Sequence, residues 1–416
     1  MLQSVKKNVF YLLGAEAAIK ALMFLLIVVI TRYLGVVKFG QFSFALSFAL
    51  LFGIIVDFGL NQFTVREVAK DKAKAKRFMG NIISIKMLLC ITTFVLIFAT
   101  VKVLNYSTDI SLLIYLAACF VLVNSFCEFF RSICQSFERM DYDALTRFLE
   151  RAALLLIVFS VIFFDLGLKR LMLGYVFASL VALAFVVAFI WRRLSVFPLA
   201  FDMNFWAETI RGSIPFLLTS VFVTIYFRID TIMLSAMKGD EAVGQYNAAY
   251  NLIFAFFFIP VILSKILLPR LAMFFVDSKE NLVRIVNHSF RIAFWVGIIC
   301  AIGMSIFSSE VLHFLYGIEF VSGAQALQLL SWVFFMICIG TVASVTLNAV
   351  NKQYIVTVGT AVGAVVNVIL NYVFIPLYSL NGAALATLLT EITCFCILFI
   401  ALRKQLACFD LQSGAA

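Results

Sequence analysis

The sequence is poor in charged residues and has little histidine. Only 13% of its 416 residues are Asp, Glu, Lys or Arg, and it has two histidines. Soluble domains carry about 25% charged residues. No phosphate-binding P-loop, His-Glu-x-x-His or Gly-x-Ser-x-Gly sequence occurs. We therefore expect neither a water-soluble fold nor ATP-driven pumping by this chain alone, and we expect no cofactor or metal site.

Hydrophobic residues dominate what is present. They make up 64% of the chain and form long runs almost from end to end. A bilayer core of roughly 30 Å requires about 20 apolar residues per helical span. The runs are too long and too uniformly apolar for the alternating strands of an outer-membrane barrel. Since only helices satisfy their own backbone in hydrocarbon, the sequence predicts an all-α, polytopic membrane protein.

The apolar runs are separated by charged residues or by Gly, Pro and Asn, and they predict about twelve transmembrane helices. The first run is too long for a signal peptide and is interpreted as the first span. The predicted spans are 9–34, 39–60, 80–101, 110–133, 144–165, 168–191, 212–235, 242–268, 288–308, 325–347, 352–374 and 381–402.

Basic residues fix the expected orientation. With the N-terminus inside, 20 Lys and Arg residues fall in cytoplasmic segments and six fall outside. The positive-inside rule then places both termini in the cytoplasm. The same bias accounts for the net charge of +10, so we expect no nucleic-acid partner. The dense basic run from Lys70 to Arg77 is interpreted as a segment facing anionic membrane lipids.

The chain also divides near its middle, which predicts two six-helix lobes at 1–206 and 207–416. Phe39-Gly-Gln-Phe42 opens span 2, and Val243-Gly-Gln-Tyr246 opens span 8, at an offset of 204 residues. An even number of spans in each half makes the repeat parallel in topology, and the substrate path in such proteins runs between the lobes.

Charged residues within the predicted spans are the candidate functional residues. An ionised group at mid-bilayer costs about 2.5 to 3.5 kcal/mol, so each one suggests a function. Basic residues suit a phosphate-bearing cargo, although an equal number of acids within the spans weakens that argument. The candidates for substrate binding are Lys20, Lys86, Arg147, Arg151 and Arg228, and those for ion coupling are Glu16, Asp230 and Glu391.

The spacing of these residues leaves alternatives open. Glu16 and Lys20 share a helix face and form either a structural pair or part of a cavity lining. Arg228 and Asp230 are two residues apart and point in roughly opposite directions, about 200° apart. Glu391 lies near the middle of span 12 and is a candidate proton carrier. Asp57, Glu128, Arg131 and Lys265 lie near cytoplasmic span ends and are assigned to the membrane interface.

Several short motifs, taken together, resemble the Wzx-type polysaccharide flippases, which are relatives of the multidrug and toxin extrusion transporters. The resemblance covers essentially the whole chain. Each fragment is degenerate, but their order and spacing are fairly specific. The motifs are Thr31-Arg-Tyr-Leu-Gly35, Phe39-Gly-Gln-Phe-Ser43, Asp57-Phe-Gly59, Arg66-Glu67, Arg228-Ile-Asp230, Gly244-Gln-Tyr246, Asn348-Ala-Val-Asn-Lys352, Asn367 with Asn371, Pro376, Asn381-Gly-Ala-Ala384 and Glu391.

The resemblance implies two six-helix lobes around a central cavity, in the cell inner membrane. It implies transport of an undecaprenyl-diphosphate-linked oligosaccharide from the cytoplasmic to the outer leaflet, coupled to H+ or Na+. It also implies contact with polysaccharide polymerase machinery. Two other classes remain open. A multidrug or cation exporter of the same superfamily would need few intramembrane bases, and an O-antigen polymerase would carry a large extracytoplasmic loop, which this chain lacks.

Overall fold

The computed structural model describes residues 2–194 and 199–413, with the side chains of residues 22–139, 141–190 and 199–406. Helices account for nearly all of this part, and no strand occurs in it. Nine of the helical stretches found in the described residues are long and apolar enough to cross a membrane. The prediction of an all-α, multi-pass membrane protein is therefore confirmed.

The helices follow one another with short connections. In chain order they are α1 (Leu2–Asp57), α2 (Leu60–Lys70), α3 (Ala75–Val103), α4 (Thr108–Ser136), α5 (Met140–Phe163), α6 (Gly167–Leu194), α7 (Met203–Lys238), α8 (Asp240–Ala255), α9 (Phe258–Asp277), α10 (Lys279–Ile306), α11 (Ser308–Tyr316), α12 (Ala324–Ala349) and α13 (Gln353–Ser413), with short 3-10 helices at Lys72–Lys74 and Ile318–Gly323.

Two of the long helices are broken where the sequence separates two spans. Gly35 has φ 67° and interrupts α1. Ser379 has φ 52° and interrupts α13. Glycine adopts a positive φ at no steric cost, whereas in serine the Cβ atom makes a positive φ energetically unfavourable. The nine apolar stretches do not include α5, and they count the helices on either side of each break as one. When α5 is added and each break is counted as a boundary between two spans, the arrangement is compatible with the twelve predicted spans.

One predicted boundary differs from the structure. The predicted span 8, at 242–268, corresponds to α8 and α9, which are joined by a helical turn at Phe256 and Phe257 and form one stretch, Asp240–Asp277, that is long and apolar enough to cross a membrane. The predicted connection at 61–79 is largely helical, because α2 occupies Leu60–Lys70 and α3 begins at Ala75. Hydropathy marks where lipid can surround a segment, but it does not mark where backbone hydrogen bonding stops.

The helices expose apolar side chains and bury polar ones. On α3, Ile91 is 64% exposed, and Leu88 and Val95 are also exposed on the same side. Asn81 and Lys86, on the same helix, are buried. Apolar side chains also fill the interior, so the difference from a soluble protein lies in the apolar outer faces, which are expected when lipid is their solvent.

The chain forms two compact units. Unit 1 comprises Met1–Leu34 and Gln41–Arg228, and unit 2 comprises Gly35–Gly40 and Ile229–Ala416. Within unit 1, α4 packs against α2, α3, α5 and α6. Within unit 2, α12 packs against α8, α9, α10 and α13. The predicted lobe boundary at residue 206 stays a prediction.

In unit 1, the segment before α7 is anchored to the first turns of α3. Asn81 Oδ1 accepts hydrogen bonds from the backbone N–H of Asp202, at 2.9 Å, and from the indole of Trp206, at 3.2 Å. Asp202 Oδ2 accepts from the Arg77 guanidinium at 2.7 Å. This hydrogen bond holds the pKa of the Asp202 carboxyl below its usual range. The contacts fix the start of α7 against α3.

Candidate functional site

A buried ion network joins α4 to α5 in unit 1. The side chain of Arg131 is 1% exposed, and its Nη2 donates to Glu150 Oε2 at 2.5 Å. Arg131 Nη1 donates to Glu128 Oε1 at 2.8 Å, and Nε donates to the Thr146 hydroxyl at 3.2 Å. All three guanidinium nitrogens of Arg131 therefore donate hydrogen bonds to oxygen atoms. A buried charge in a medium of low dielectric needs such partners.

Arg147 extends the same network. Its two terminal nitrogens donate to the two Glu128 oxygens at 2.8 and 2.7 Å, and its Nε donates to Asp143 Oδ1 at 2.9 Å. Arg151 Nη1 lies 3.7 Å from Glu150 Oε1. Arg147 and Arg151 are therefore both engaged with carboxylates of unit 1. A role for them in substrate binding stays a prediction.

Lys86 is the third basic candidate in unit 1, and its side chain is 0% exposed. Its Nζ donates to Ser125 Oγ at 2.7 Å and to the carbonyl of Val56 at 3.4 Å. Asp57 Oδ1 lies 3.8 Å away, which is ion-pair distance without a hydrogen bond. Lys86 thus joins α3 to α1 and α4. Direct contact between Lys86 and a substrate stays a prediction.

A cavity of about 410 Å³ lies within unit 1 beside these ion pairs. Small-molecule sites have volumes of about 300 to 1,000 Å³. The cavity has an apolar side formed by Leu50, Gly53, Ile54, Val65 and Val121. Its other lining residues are the acids Asp57 and Glu128, the amides Asn61, Gln62, Asn124 and Gln135, and the hydroxyl residues Ser125, Ser132, Ser220 and Thr224.

Three oxygen atoms of residues that line this cavity are buried without a hydrogen-bond partner. They are Asp57 Oδ1, Asn61 Oδ1 and Asn124 Oδ1. Buried polar groups in folded proteins are nearly always hydrogen-bonded, and an unmade hydrogen bond costs about 1 to 3 kcal/mol. Three acceptors on one polar cavity indicate a place for water or for a ligand that donates hydrogen bonds.

Unit 2 contains a separate cluster around Asp230 on α7. The residue is 3% exposed. Its carboxylate accepts from the Tyr246 hydroxyl at 2.7 Å, from the Thr387 hydroxyl at 2.9 Å and from Asn371 Nδ2 at 2.6 Å. Asn371 Nδ2 also donates to Asn367 Oδ1 at 3.0 Å. These neutral donors come from α8 and from the two halves of α13, so the cluster ties three helical segments to one carboxylate.

The remaining candidates are distributed as follows. Glu16 and Lys20 lie outside the residues whose side chains are described. Arg228 and Glu391 are partly exposed, on α7 and on the second half of α13. Among the described residues, no group of three His, Cys, Asp or Glu side chains is placed to hold a metal ion.

Sequence reasoning missed residues that matter for unit 1. Arg131 is assigned to the membrane interface from the sequence, and its side chain is buried in the ion network, whereas its depth in the membrane stays a prediction. The spacing of Glu128 and Arg131, three residues apart on one helix, could have indicated an intrahelical pair. Asn61 and Asn124 could not have been selected, because a polar residue between apolar ones gives no indication of where its side chain points.

The comparisons with known proteins agree with this architecture. A family model described as "Polysaccharide biosynthesis protein" matches residues 5–275, and a model named MatE matches residues 215–373. An uncharacterized membrane protein of Methanocaldococcus jannaschii is 25% identical over 410 residues, which cover 95% of this chain and 97% of that protein. The capsular polysaccharide biosynthesis protein CapF of Staphylococcus aureus is 23% identical, over 92% of this chain and 96% of CapF.

Solved structures add a likeness of fold. The lipid II flippase MurJ, in an inward closed conformation, superposes with a TM-score of 0.81. The match covers 94% of this chain and 87% of MurJ at 16% sequence identity. At that identity the likeness shows the fold alone. The membrane transporter fold predicted from the sequence is confirmed by it.

Proposed function

Because the chain belongs to the family of polysaccharide biosynthesis proteins, we propose that it is a flippase for a lipid-linked oligosaccharide. It moves an undecaprenyl-diphosphate-linked repeat unit from the cytoplasmic to the outer leaflet of the inner membrane. It performs no covalent chemistry. The product is handed to polysaccharide polymerase machinery. The family match over residues 5–275 is the observation that carries this proposal.

The diphosphate is assigned to Arg228 and Lys20. Arg228 belongs to the Arg228-Ile-Asp230 motif of the resemblance, and Lys20 is chosen by its depth in span 1. A guanidinium forks onto phosphate oxygens and suits this task. Lys86, Arg147 and Arg151 are assigned an indirect part, because each lies within ion-pair distance of a carboxylate in unit 1.

Ion coupling is assigned to Asp230. Its carboxylate is buried among hydroxyl and amide groups, which are suitable neighbours for either a proton or Na+ bound to the carboxylate. Uptake and release of the ion would change how strongly α7, α8 and α13 are held together. Glu16 and Glu391 remain further candidates for the coupling site.

The function is tested with purified protein in liposomes that contain a radiolabelled undecaprenyl-diphosphate oligosaccharide. A membrane-impermeant glycosidase measures how much of the sugar reaches the opposite leaflet. We expect the protein to accelerate translocation when a proton or sodium gradient is imposed. Equal translocation in liposomes with and without the protein would contradict the proposal.

A second candidate is supported by the MatE match over residues 215–373, namely export of organic cations by the same fold. Ethidium efflux from the same liposomes distinguishes the two functions. Gradient-driven ethidium efflux without oligosaccharide translocation would favour the exporter. Oligosaccharide translocation without ethidium efflux would favour the flippase.

A further inference from the structure

The polar cavity of unit 1 lacks the positively charged side chains that a diphosphate requires. Among the described residues, its lining contains two acids and no Lys or Arg. The bases that lie behind it, Lys86, Arg131 and Arg147, are held by carboxylates. An anion placed in this cavity would meet carboxylates and amide oxygens before any base. The cavity therefore does not have the chemistry of a phosphate site.

The surrounding charges are also balanced. Four bases and four carboxylates form the ion pairs behind the cavity, so their formal charges cancel. The bases are Lys86, Arg131, Arg147 and Arg151, and the carboxylates are Asp57, Glu128, Asp143 and Glu150. An uncharged ligand can occupy such a site without leaving a buried charge uncompensated.

The volume argues against a small dehydrated cation. Hard cations such as Ca²⁺ are held by oxygen ligands at about 2.3 to 2.6 Å, which requires a tight cage. The cavity holds about 410 Å³, much more than one ion needs. Gln62, which lines it, is exposed, so the lining of the cavity reaches the protein surface.

The buried atoms without a hydrogen-bond partner indicate which groups the ligand must offer. Asp57 Oδ1, Asn61 Oδ1 and Asn124 Oδ1 are all hydrogen-bond acceptors, so the complementary groups are donors. The hydroxyl residues of the wall can donate or accept. The apolar side, which includes Leu50 and Ile54, suits the C–H faces of a sugar ring. A polyhydroxylated ring offers many donors and carries no charge.

We propose that this cavity binds an uncharged sugar of the cargo, with Asn61, Asn124 and Asp57 accepting hydrogen bonds from its hydroxyl groups. The inference rests on the proposed flippase function and adds that two parts of the substrate bind at different sites. The cavity of unit 1 recognises the sugar, and other residues bind the diphosphate. Lys86 is a positioning residue, since its Nζ holds Ser125 Oγ at the cavity wall.

The test compares two lipids, one without and one with the sugar. One is undecaprenyl diphosphate, and the other is the lipid-linked oligosaccharide extracted from cells whose surface polysaccharide depends on this chain. The variant is Asn61→Leu with Asn124→Leu, which removes two acceptors at similar volume. The matched control is Thr93→Val, because Thr93 Oγ1 is also buried without a hydrogen-bond partner but does not line the cavity.

We expect the double variant to bind the oligosaccharide lipid about tenfold or more weakly than the wild type, since two hydrogen bonds are lost. Its affinity for undecaprenyl diphosphate should change less than about twofold, because the diphosphate is bound elsewhere. Thr93→Val should bind both lipids as the wild type does. If the double variant does not fold, Ser220→Phe fills the same cavity from α7 and is expected to have the same selective effect.

Other outcomes separate the possible failures. Unchanged oligosaccharide binding in the folded variant, or an equal loss for both lipids, would overturn the sugar site while leaving the flippase function intact. If Na+ raises the Tm of the wild type and of Thr93→Val but not that of the double variant, the cavity is a cation site. That result would also overturn the sugar site. Wild-type protein that binds neither lipid better than phosphatidylglycerol would overturn the proposed function, and this inference with it.

Discussion

Gly40 and Gly244 lie against each other within unit 2. Each glycine also lies close to the backbone carbonyl four residues before the other glycine. A Cβ atom on Gly40 would overlap the carbonyl oxygen of Asp240 and lie 3.0 Å from the N atom of Gly244. A Cβ on Gly244 would overlap the carbonyl oxygen of Val36 and lie 3.2 Å from the N atom of Gly40. The contact is therefore reciprocal at the same offset of 204 residues as the repeated sequence motif.

The close crossing predicts that Gly40→Ala and Gly244→Ala destabilise the protein. The added methyl group has no space, so the two backbones must separate. Gly303→Ala in α10 is the control, because nothing lies within 4 Å of its Cβ position. An alanine there should be neutral or stabilising by up to about 1 kcal/mol. Tm in detergent measures all three, and equal values for the three variants would refute the crossing.

The ion network of unit 1 predicts a large effect from a single substitution. Arg131→Met removes the hydrogen-bonded guanidinium partner of the buried Glu150 and leaves it only the 3.7 Å ion pair with Arg151, which should lower the free energy of unfolding by about 3 to 5 kcal/mol. Arg131→Met with Glu150→Leu should be less harmful, because no buried carboxylate loses its hydrogen-bonded partner. Lys169→Ala breaks an exposed pair with Asp109 and should cost less than about 1 kcal/mol. Chemical denaturation in mild detergent ranks the variants, and an Arg131→Met variant as stable as Lys169→Ala would contradict the prediction.

The diphosphate assignment predicts that Arg228→Ala and Lys20→Ala each severely reduce surface polysaccharide. Loss of a charge-assisted partner of a buried phosphate costs about 2 to 5 kcal/mol. Arg228→Lys should recover only part of the activity, since an ammonium lacks the planar fork. Lys72→Ala or Lys74→Ala should have little effect. Polysaccharide is quantified at matched membrane expression, and normal export in both the Arg228→Ala and Lys20→Ala variants would remove the assignment.

The coupling assignment predicts different outcomes for two carboxyl substitutions. Asp230→Asn keeps the shape of the side chain but removes its ionisable group and replaces one acceptor oxygen by an amide donor. Translocation in liposomes should therefore lose its dependence on the proton or sodium gradient. Glu391→Gln tests the alternative site in the same assay. If only Glu391→Gln removes the gradient dependence, coupling belongs to α13 and not to Asp230.

The orientation is tested with reporter fusions. A reporter after Lys404 should be cytoplasmic, and one near Lys169 should be extracytoplasmic, because the basic residues are concentrated on one side. Alkaline phosphatase is active only outside the cytoplasm, so paired fusions with a fluorescent protein give a positive result on each side. The reverse pattern would overturn every assignment of sides made above.

The sequence alone determined that this is an all-α membrane protein, and it placed most of the helix boundaries. Runs of about 20 apolar residues have no other stable state than a helix in lipid. The residues around Gly35 and Ser379 were identified as breaks, since polar or small residues interrupt the apolar runs there. The family resemblance also came from the sequence, because motif order survives where overall identity is low.

The pairing of charges was decided only by the tertiary structure. Glu128 meets Arg147, 19 residues away, and Asp230 meets Thr387, 157 residues away. Such partners depend on how different helices pack against each other, and the periodicity of a single helix does not predict that packing. The same is true of the cavity beside Asn61 and Asn124, because a void exists only where several helices fail to fill the space between them. Hydropathy is a property of each segment alone, whereas burial, pairing and cavities are properties of segments brought together.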